Sequence, residues 1–122
     1  MSATVKVKSA ITWTQGALTI AHSRDMSITA AGEHARGTVQ DIGFAAHEAL
    51  DVPAEIGTAG WAYFQNQDTT NFVQIGVDGG GTFYPLLKLL PGEAVAVRMA
   101  TDAPYAKADT AAVKLYFFIS EA

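Results

Sequence analysis

The chain has 122 residues, which suits one compact domain with an ordinary hydrophobic core and leaves little room for a second domain. It contains no cysteine, which excludes disulfides, thiolate metal sites and cysteine nucleophiles. Eight basic and twelve acidic residues give a net charge of -4, and this excess of acidic residues argues against nucleic acid as a partner.

Turn-forming residues interrupt the chain about every ten residues, and the segments between them alternate apolar and polar residues, which predicts an all-β fold. The first strand is predicted to end at a turn formed by Gln15 and Gly16. It places four apolar residues on one face, namely Val5, Val7, Ile11 and Trp13. Residues 17–30 predict a separate hairpin that turns at the polar residues 23–25, and residues 32–37 predict a loop.

The segment from residue 38 to residue 52 has the least regular pattern. Its apolar phase shifts between Val39 and Ile42, which predicts a strand with a bulge. Residues 45–50 fit either a short helix or a strand. The strand is favoured because a helix of this length would be marginal in water. We expect this segment to end at Pro53.

The second half of the chain predicts five strands, at residues 60–64, 72–77, 82–90, 94–99 and 113–119. The polar residues 66–70 are typical of a turn and predict that the first two of these strands form a hairpin. Residues 78–81 predict a second hairpin, because glycine adopts positive φ at little cost. Residues 100–112 predict a polar loop. Eight or nine short antiparallel strands indicate a single two-sheet β-sandwich over residues 1–122, either a jelly roll or immunoglobulin-like.

The residue types that form phosphate and metal sites do not occur here in a known pattern. Residues 78–82 resemble a phosphate-binding loop only in their glycines, because the lysine and the following helix of such a loop are missing. His22, His34 and His47 lack the spacing of a metal-binding pair. We therefore expect neither a metal site nor a cofactor.

Carboxylates are scattered singly along the chain, and the closest are Glu48, Asp51 and Glu55. Glycoside hydrolysis requires two carboxylates at a set separation across a cleft, which this spacing does not establish. The chain also lacks the Gly-x-Ser-x-Gly motif of a serine nucleophile. No catalytic residue is predicted, and the chain is not expected to be an enzyme.

Aromatic side chains provide the candidate protein-interface residues, which are Trp61, Tyr63, Phe83 and Tyr84. Trp61 and Tyr63 alternate with Phe64 along one strand, so both rings point outward if Phe64 points inward. Two outward aromatic rings would form a patch that requires a partner. In the alternative interpretation the strand is covered on both sides and these rings belong to the core.

The segment from Gly60 to Gly76, with the sequence GWAYFQNQDTTNFVQIG, resembles a pattern found in small structural proteins of tailed bacteriophages. In that pattern a glycine precedes an apolar strand, Asn-x-Asp-x-Thr-Asn follows, and an aromatic-Val-x-Ile-Gly strand comes next. The similarity extends to residues 39–43, 48–50, 83–88, 90–98 and 108–119, so the similar segments lie within residues 39–119, which is about two-thirds of the chain.

The resemblance implies a virion component with a β-sandwich fold that is present in many symmetric copies. The sequence has no fibre-like repeat and no appended receptor-binding domain, which favours a capsid decoration or cement protein that binds between capsid subunits. The implied partners are the major capsid protein or other virion proteins, together with further copies of the chain, for example in a trimer. The implied location is the virion, after synthesis in the host cytoplasm.

Other roles stay open, namely a tail, neck or fibre-anchoring component and a carbohydrate-binding adsorption module. A carbohydrate-binding module predicts that Trp61 and Tyr63 form an exposed platform, whereas a structural role predicts that both are covered in an assembly. Residues 1–8 are a candidate flexible arm that adds to the sheet edge of a neighbour, and the alternative is a frayed terminus.

Low charge favours contacts with other proteins, because charged residues make up 16% of the chain against about 25% in ordinary soluble domains. The longest uncharged apolar run, residues 115–119, is far shorter than the ~20 residues that span a bilayer. Residues 1–8 also lack the features of a signal peptide. We therefore expect no membrane partner.

Overall fold

The computed structural model describes residues 3–122, and the ordered elements in this range are β-strands apart from one 3-10 turn at Ala54–Ile56. The strands are β1 (Ala3–Gln15), β2 (Leu18–Ala30), β3 (Ala35–Ile42), β4 (Glu48–Ala49), β5 (Ala59–Asn66), β6 (Val73–Gly79), β7 (Thr82–Leu89), β8 (Ala94–Arg98), β9 (Tyr105–Ala108) and β10 (Val113–Glu121). Their pairings are antiparallel. The predicted all-β antiparallel fold is confirmed, with ten strands in place of eight or nine.

Strands β1 and β2 form a long hairpin that we call the arm. They pair with each other along their whole length, from Ala3 opposite Ala30 to Gln15 opposite Leu18, and make a separate two-stranded sheet. The predicted turn is confirmed: Gly16 has a φ of +59° and is the first of two loop residues, where a type II′ turn requires glycine.

The separate hairpin predicted within residues 17–30 is wrong, because these residues form one continuous strand. The polar residues 23–25 do not turn and instead pair with residues 8–10 of β1. Thirteen consecutive cross-strand pairs outweigh the local turn preference of three polar residues. Of the candidate arm at residues 1–8, Met1 and Ser2 lie outside the described residues, and the other six form the start of β1.

Residues 31–122 form the body, in which two four-stranded sheets face each other. The front sheet has the order β3-β10-β5-β8, and the back sheet has the order β4-β9-β6-β7. Successive strands alternate between the two sheets except at β6 and β7, which form a hairpin within the back sheet. This connectivity is that of a jelly roll, one of the two sandwich types expected from the sequence.

The hydrophobic core lies between the two sheets. The front sheet contributes Ile42, Phe64, Val113, Leu115, Phe117 and Ile119, and the back sheet contributes Val73, Ile75, Leu89, Ala106 and Ala108. Each of these residues is buried, and they recur at every second position of β10 because successive side chains of a strand point to opposite faces. The core therefore follows the predicted alternation of residues 113–119.

The hairpin predicted from β5 and β6 is wrong, since β5 belongs to the front sheet and β6 to the back sheet. The connection between these strands crosses from one sheet to the other, and the buried side chain of Asn66 holds it in place. Its Nδ2 group donates hydrogen bonds to the carbonyl oxygens of Asn71 at 2.9 Å and Leu89 at 3.0 Å. Its Oδ1 atom accepts a hydrogen bond from the backbone N–H of Asp68 at 2.8 Å. The same polar residues that suggested a hairpin turn thus stabilise a crossing.

Three smaller predictions are compared with the structure next to each other: the bulge in β3, the segment at residues 45–50 and the loop at residues 100–112. Strand β3 contains no bulge in its pairing with β10, because Val39 and Ile42 simply lie on opposite faces. Residues 45–50 contain the two-residue strand β4 and no helix, so the strand interpretation is closer. The loop predicted at residues 100–112 contains β9, which pairs with both β4 and β6. Its short alanine-rich sequence gave no strand signal.

Candidate functional site

The outer part of the arm carries an uncovered apolar surface. Trp13 pairs with Ile20 and Gln15 pairs with Leu18, so these side chains share one face of the ribbon. The exposed fractions of the four large apolar side chains on this face are 68% for Ile11, 49% for Trp13, 55% for Leu18 and 46% for Ile20. We call these four residues the tip patch.

The same face of the arm is covered where it meets the body. Val7 is buried, and Val5, Met26 and Ile28 are half-buried. Trp61 of the front sheet lies beside Val5 and Ile28 around a small cavity of about 70 Å³. This face of the arm therefore has covered apolar side chains at its base and uncovered ones at its tip, with the pair of Ser9 and Arg24 between them.

The arm tip lacks the features that usually keep exposed strands from pairing with other chains. Residues 9–23 contain no Asp, Glu, Lys or Arg, and residues 3–30 contain no proline. Charged side chains, prolines and bulges are the common protection of free strand edges, and the pairing of β1 with β2 has no bulge. A two-stranded hairpin is at best marginally stable by itself in water. Within the described residues, nothing covers the tip patch.

The segment that joins the arm to β3 is held by the end of β10, through contacts that we call the clamp. The backbone N–H of Gly32 donates to the carbonyl oxygen of Ala122 at 2.9 Å, and that of Glu121 donates to the carbonyl oxygen of His34 at 2.8 Å. The Glu121 Oε1 atom accepts from the backbone N–H of Glu33 at 3.0 Å and from His34 Nδ1 at 3.0 Å. These contacts join residues 32–34, where the chain leaves the arm, to the end of β10.

Two groups of the clamp have shifted pKa values. The hydrogen bond from His34 lowers the pKa of the Glu121 carboxyl, and the backbone N–H of Glu33 lowers it further. The hydrogen bond to Glu121 raises the pKa of His34, and the negative charges of Glu121, Glu55 and Glu33 add to this effect. The side-chain contact is therefore strongest where His34 is protonated and Glu121 is ionised.

A second feature is an apolar groove at one open edge of the sandwich, between β7 of the back sheet and β8 of the front sheet. It has a volume of about 370 Å³, and the core residue Phe64 lies in its lining. Other apolar side chains of the lining are Ile75, Leu87, Val97, Met99 and Pro104. Leu86, which also lines it, is 72% exposed. We call this feature the edge groove.

Trp61 and Tyr63 lie on the outer face of the front sheet, because Phe64, which alternates with them, is buried in the core. Tyr63 is exposed, and its ring contacts the Tyr116 ring edge-on with 6.2 Å between centroids. Trp61 is half-buried, and its Nε1 atom is buried without a hydrogen-bond partner in the described part of the chain. Both rings line a crevice of about 380 Å³ between the outer face of the front sheet and residues 5–8 of the arm. Their role in an interface stays a prediction.

Phe83 and Tyr84 are adjacent in β7 of the back sheet and point to opposite faces. The Phe83 ring stacks on the His47 ring with 5.3 Å between centroids, whereas Tyr84 is exposed. The four candidate interface residues are thus divided between two sheets, and the structure brings only Trp61 and Tyr63 onto one surface.

The candidate interface residues named from the sequence do not include the tip patch. The sequence feature that could have revealed the tip patch is the unusual length of the alternating segments, since β1 and β2 have 13 residues each. This is more than twice the common strand length of about five to six residues. Two such segments joined by a two-residue turn indicate a hairpin that extends beyond a small sandwich.

The three histidines have different surroundings. His22 lies in the arm, His34 contacts Glu121, and His47 Nε2 donates to Asp78 Oδ1 at 2.7 Å. Within residues 3–122, no group of three or more His, Asp or Glu side chains is arranged to hold a metal ion. The histidines therefore give no candidate metal centre in that range.

The glycine-rich residues 78–81 form the predicted turn between β6 and β7, and this hairpin is confirmed. Gly80 and Gly81 have φ values of +62° and +90°, which a two-glycine turn accommodates without strain. Asp78 Oδ2 accepts a hydrogen bond from the backbone N–H of Gly81 at 3.4 Å. A carboxylate at this position is unfavourable for a bound phosphate.

Comparison with protein-family models, with curated proteins and with solved structures found no match to this chain. None of the helical turns in the described residues has the length and apolar character needed to cross a bilayer.

Proposed function

We propose that this chain is a structural protein of a bacteriophage virion and acts as a capsid decoration protein, which stabilises the head by binding between capsid subunits. The observation that carries the proposal is the projecting arm with its uncovered tip patch. Such a surface is unfavourable in an isolated molecule and favourable in a permanent assembly. The resemblance of residues 60–76 to small phage structural proteins supports the virion as that assembly.

The dimensions of the arm support this role. The eight residues from Lys8 to Gln15 continue past the last buried residue of β1, Val7. At about 3.3 Å per residue they extend roughly 26 Å beyond it, which exceeds the roughly 10 Å thickness between packed sheets. With an arm of this length, the arm tip can contact one neighbouring molecule while the body of the same chain contacts another.

A jelly-roll body is compatible with the proposal and does not by itself assign it, since this architecture serves viral capsid proteins and lectins alike. A decoration protein binds a site that spans several subunits, which are neighbours only after assembly. Because it binds the assembled shell and not the free subunits, it stabilises the shell by mass action. This role is structural, requires no turnover, and locates the chain in the virion after synthesis in the host cytoplasm.

Two alternatives differ in ways that an experiment separates. A tail, neck or fibre-anchoring component would use the same arm but would be present in few copies. A carbohydrate-binding module would need an open aromatic platform, and the half-buried position of Trp61 beside the arm does not favour one. We therefore keep the first alternative as an outcome of the test and do not propose the second.

The test compares phage heads that contain the full chain, a variant with a shortened arm, or no copy of the chain. In the shortened variant, residues 9–24 are replaced by Asn-Gly, which joins Lys8 to Asp25 through a favoured two-residue turn. These two residues are paired in the full arm, so the covered base of the arm is retained. Copies per particle are counted by quantitative mass spectrometry, and DNA release is followed on heating.

We expect hundreds of copies of the full chain per head and few copies of the shortened variant. Heads with the shortened variant, and heads without the chain, should release DNA at a lower temperature than heads with the full chain. Phe44→Ser, which removes an exposed ring from the loop before β4, outside the arm and the candidate interface residues, is the matched control and should bind like the full chain. A count of roughly six or twelve copies would favour the tail or neck, where few symmetry-related sites exist. Absence from purified particles would overturn the proposal.

A further inference from the structure

The arm and the body carry opposite net charges. Residues 1–30 contain three basic residues and one acidic residue, a net charge of +2. Residues 31–122 contain five basic and eleven acidic residues, a net charge of -6. The charges of the arm lie at residues 6, 8, 24 and 25, near its base, and its tip is uncharged, so the net charges act at long range and favour the approach of an arm to the body of another copy over arm to arm or body to body. This distribution favours a second copy of the chain as the partner of the arm.

The chemistry of the tip patch matches that of the edge groove. Residues 9–23 carry no charged side chain, and the side chains that line the groove are mostly apolar, with Arg98 and Thr101 as its polar members. A volume of about 370 Å³ falls within the range of roughly 300–1,000 Å³ that is common for sites enclosing a small molecule. The groove therefore has room for a large side chain, and Trp13 is the largest in the tip patch.

The strand edges next to the groove differ in their ability to accept another strand. Strand β8 is an edge strand of the front sheet, and its outer side has no strand partner within residues 3–122. Strand β7, the edge of the back sheet, contains Pro85, which has no backbone N–H to donate. Both edges of the arm are also free in that range. An arm strand can therefore add to β8 by main-chain hydrogen bonds while its apolar side chains face the groove.

The tip patch supplies part of the area that a stable contact buries. Its four side chains are each about half exposed, and only Trp13 has the roughly 150–250 Å² that an aromatic side chain can bury. The polar face and backbone of the ribbon add to this, and a stable interface buries about 800 Å² per partner. Each copy gives one arm and receives another, so each takes part in two such contacts.

We propose that the arm of one copy binds the edge groove of a second copy, with an arm strand beside β8 and Trp13 inside the groove. The arrangement is head-to-tail, and it closes into a ring when the rotation between copies permits. This contact adds a partner to the proposed function. It rests on that function only for the identity of the particle that carries the ring. The contact between copies is tested on the purified chain.

Cross-linking between two populations of the full chain tests the contact directly. Because the chain has no cysteine, each variant carries a single thiol: Gln15→Cys at the arm tip, Thr101→Cys at the groove, or Ala45→Cys as the control. Ala45 is exposed just before β4, at the opposite edge of the back sheet from the groove. With a bis-maleimide reagent, we expect a dimer containing one Gln15→Cys and one Thr101→Cys chain, and none with Ala45→Cys.

Sedimentation equilibrium tests the role of the individual side chains. Trp13→Ala should weaken self-association about 30-fold or more, as expected when an aromatic anchor is truncated. Leu86→Ser, on the groove side of the contact, should weaken it in the same direction. Phe44→Ala is the matched control because it removes an exposed ring from the loop before β4, at the edge of the sandwich opposite the groove, and we expect a change of less than about 3-fold. Circular dichroism verifies that each variant is folded.

The outcomes separate this proposal from the proposed function. A purified chain that stays monomeric, or a cross-link between two arm tips in place of tip and groove, overturns the arm-to-groove contact. If the chain is monomeric but the shortened arm still abolishes binding to phage heads, the arm binds a capsid protein, and only the decoration role survives. If tip and groove cross-link but the chain does not bind heads, the contact stands and the decoration role fails.

Discussion

Strands β1 and β10 show the same alternation of apolar and polar residues in opposite surroundings. In β10, Leu115 and Phe117 are buried because the back sheet lies over them. In β1, Val7 is buried, yet Ile11 and Trp13 on the same face are exposed. Alternation therefore specifies which side chains share a face, and the rest of the molecule specifies whether that face is covered.

The difference has a free-energy consequence. Covering one large apolar side chain contributes about 1.5–3 kcal/mol. The body obtains this contribution within the molecule, whereas the tip patch obtains it only when another molecule covers it. Substitutions in the body should therefore change the free energy of unfolding, and substitutions in the arm tip should change association alone.

The largest effect on folding is expected for Phe64→Ala. Phe64 is fully buried between the two sheets, so its truncation should lower the free energy of unfolding by about 3–5 kcal/mol. Tyr63→Ala, one position away on the outer face, is the matched control and should cost about 1 kcal/mol. Denaturant titration followed by tryptophan fluorescence measures both. Equal losses for the two variants would contradict the assignment of inner and outer faces.

The next largest effect is expected for Asn66→Ala, which tests the crossing between the sheets. The substitution leaves the carbonyl oxygens of Asn71 and Leu89 without this donor, and we expect a loss of about 2–4 kcal/mol. Gln67→Ala changes the adjacent exposed residue and should alter the free energy of unfolding by less than about 0.5 kcal/mol. If Asn66→Ala has the stability of Gln67→Ala, the buried amide is not what joins the sheets.

A smaller effect concerns pH and the clamp. The raised pKa of His34 means that its contribution is complete below its ordinary value of 6.5 and is lost as the pH rises through the raised value. The lowered pKa of Glu121 means that its contribution is complete above 4.5 and is lost as the pH falls through the lowered value. The clamp should therefore be strongest between about pH 4.5 and pH 6.5.

Hydrogen exchange at the amides of Gly32 and Glu33, corrected for intrinsic rates, measures this effect. We expect stronger protection at pH 5.5 than at pH 8, and a smaller difference in His34→Gln, because glutamine does not titrate. Protection that is independent of pH in the unchanged chain, or stronger at pH 8, would show that the His34 and Glu121 side chains do not hold the arm.

The smallest effect on folding is expected for Trp13→Ala. Because Trp13 is half exposed and lies at the arm tip, its removal should change the free energy of unfolding by no more than about 0.5 kcal/mol under conditions where the chain is monomeric. Denaturant titration at low protein concentration measures this value. A loss of several kcal/mol would mean that the arm tip is part of the folded core.

Local patterns in the sequence were sufficient for much of the body. The alternation of residues 113–119 predicted the buried face of β10, and the glycines of residues 78–81 predicted the β6–β7 hairpin. The pairing partner of β5 was not predictable in the same way. The polar residues around Asn66 suit a hairpin turn and a crossing equally well, and the choice depends on strands distant in sequence.

The candidate site was less predictable for the same reason. Alternation with Phe64 indicated that Trp61 and Tyr63 share one face of the strand, and it left open whether that face is covered. The presence of Val5 and Ile28 beside Trp61 depends on residues more than thirty positions earlier in the chain. The edge groove is formed by strands of two different sheets, so no local sequence pattern marks it.

The clamp also joins parts of the chain that are synthesised at different times. Glu121 lies 88 residues after Glu33, and the arm precedes both. At roughly 5–20 residues per second, ribosomes add Glu121 about 4–18 s after Glu33. Strands β7 and β8 are likewise made after the arm. A nascent chain therefore contains the apolar hairpin before it contains the clamp or a complete jelly roll. Docking of an arm into an edge groove would therefore follow the synthesis of β7 and β8.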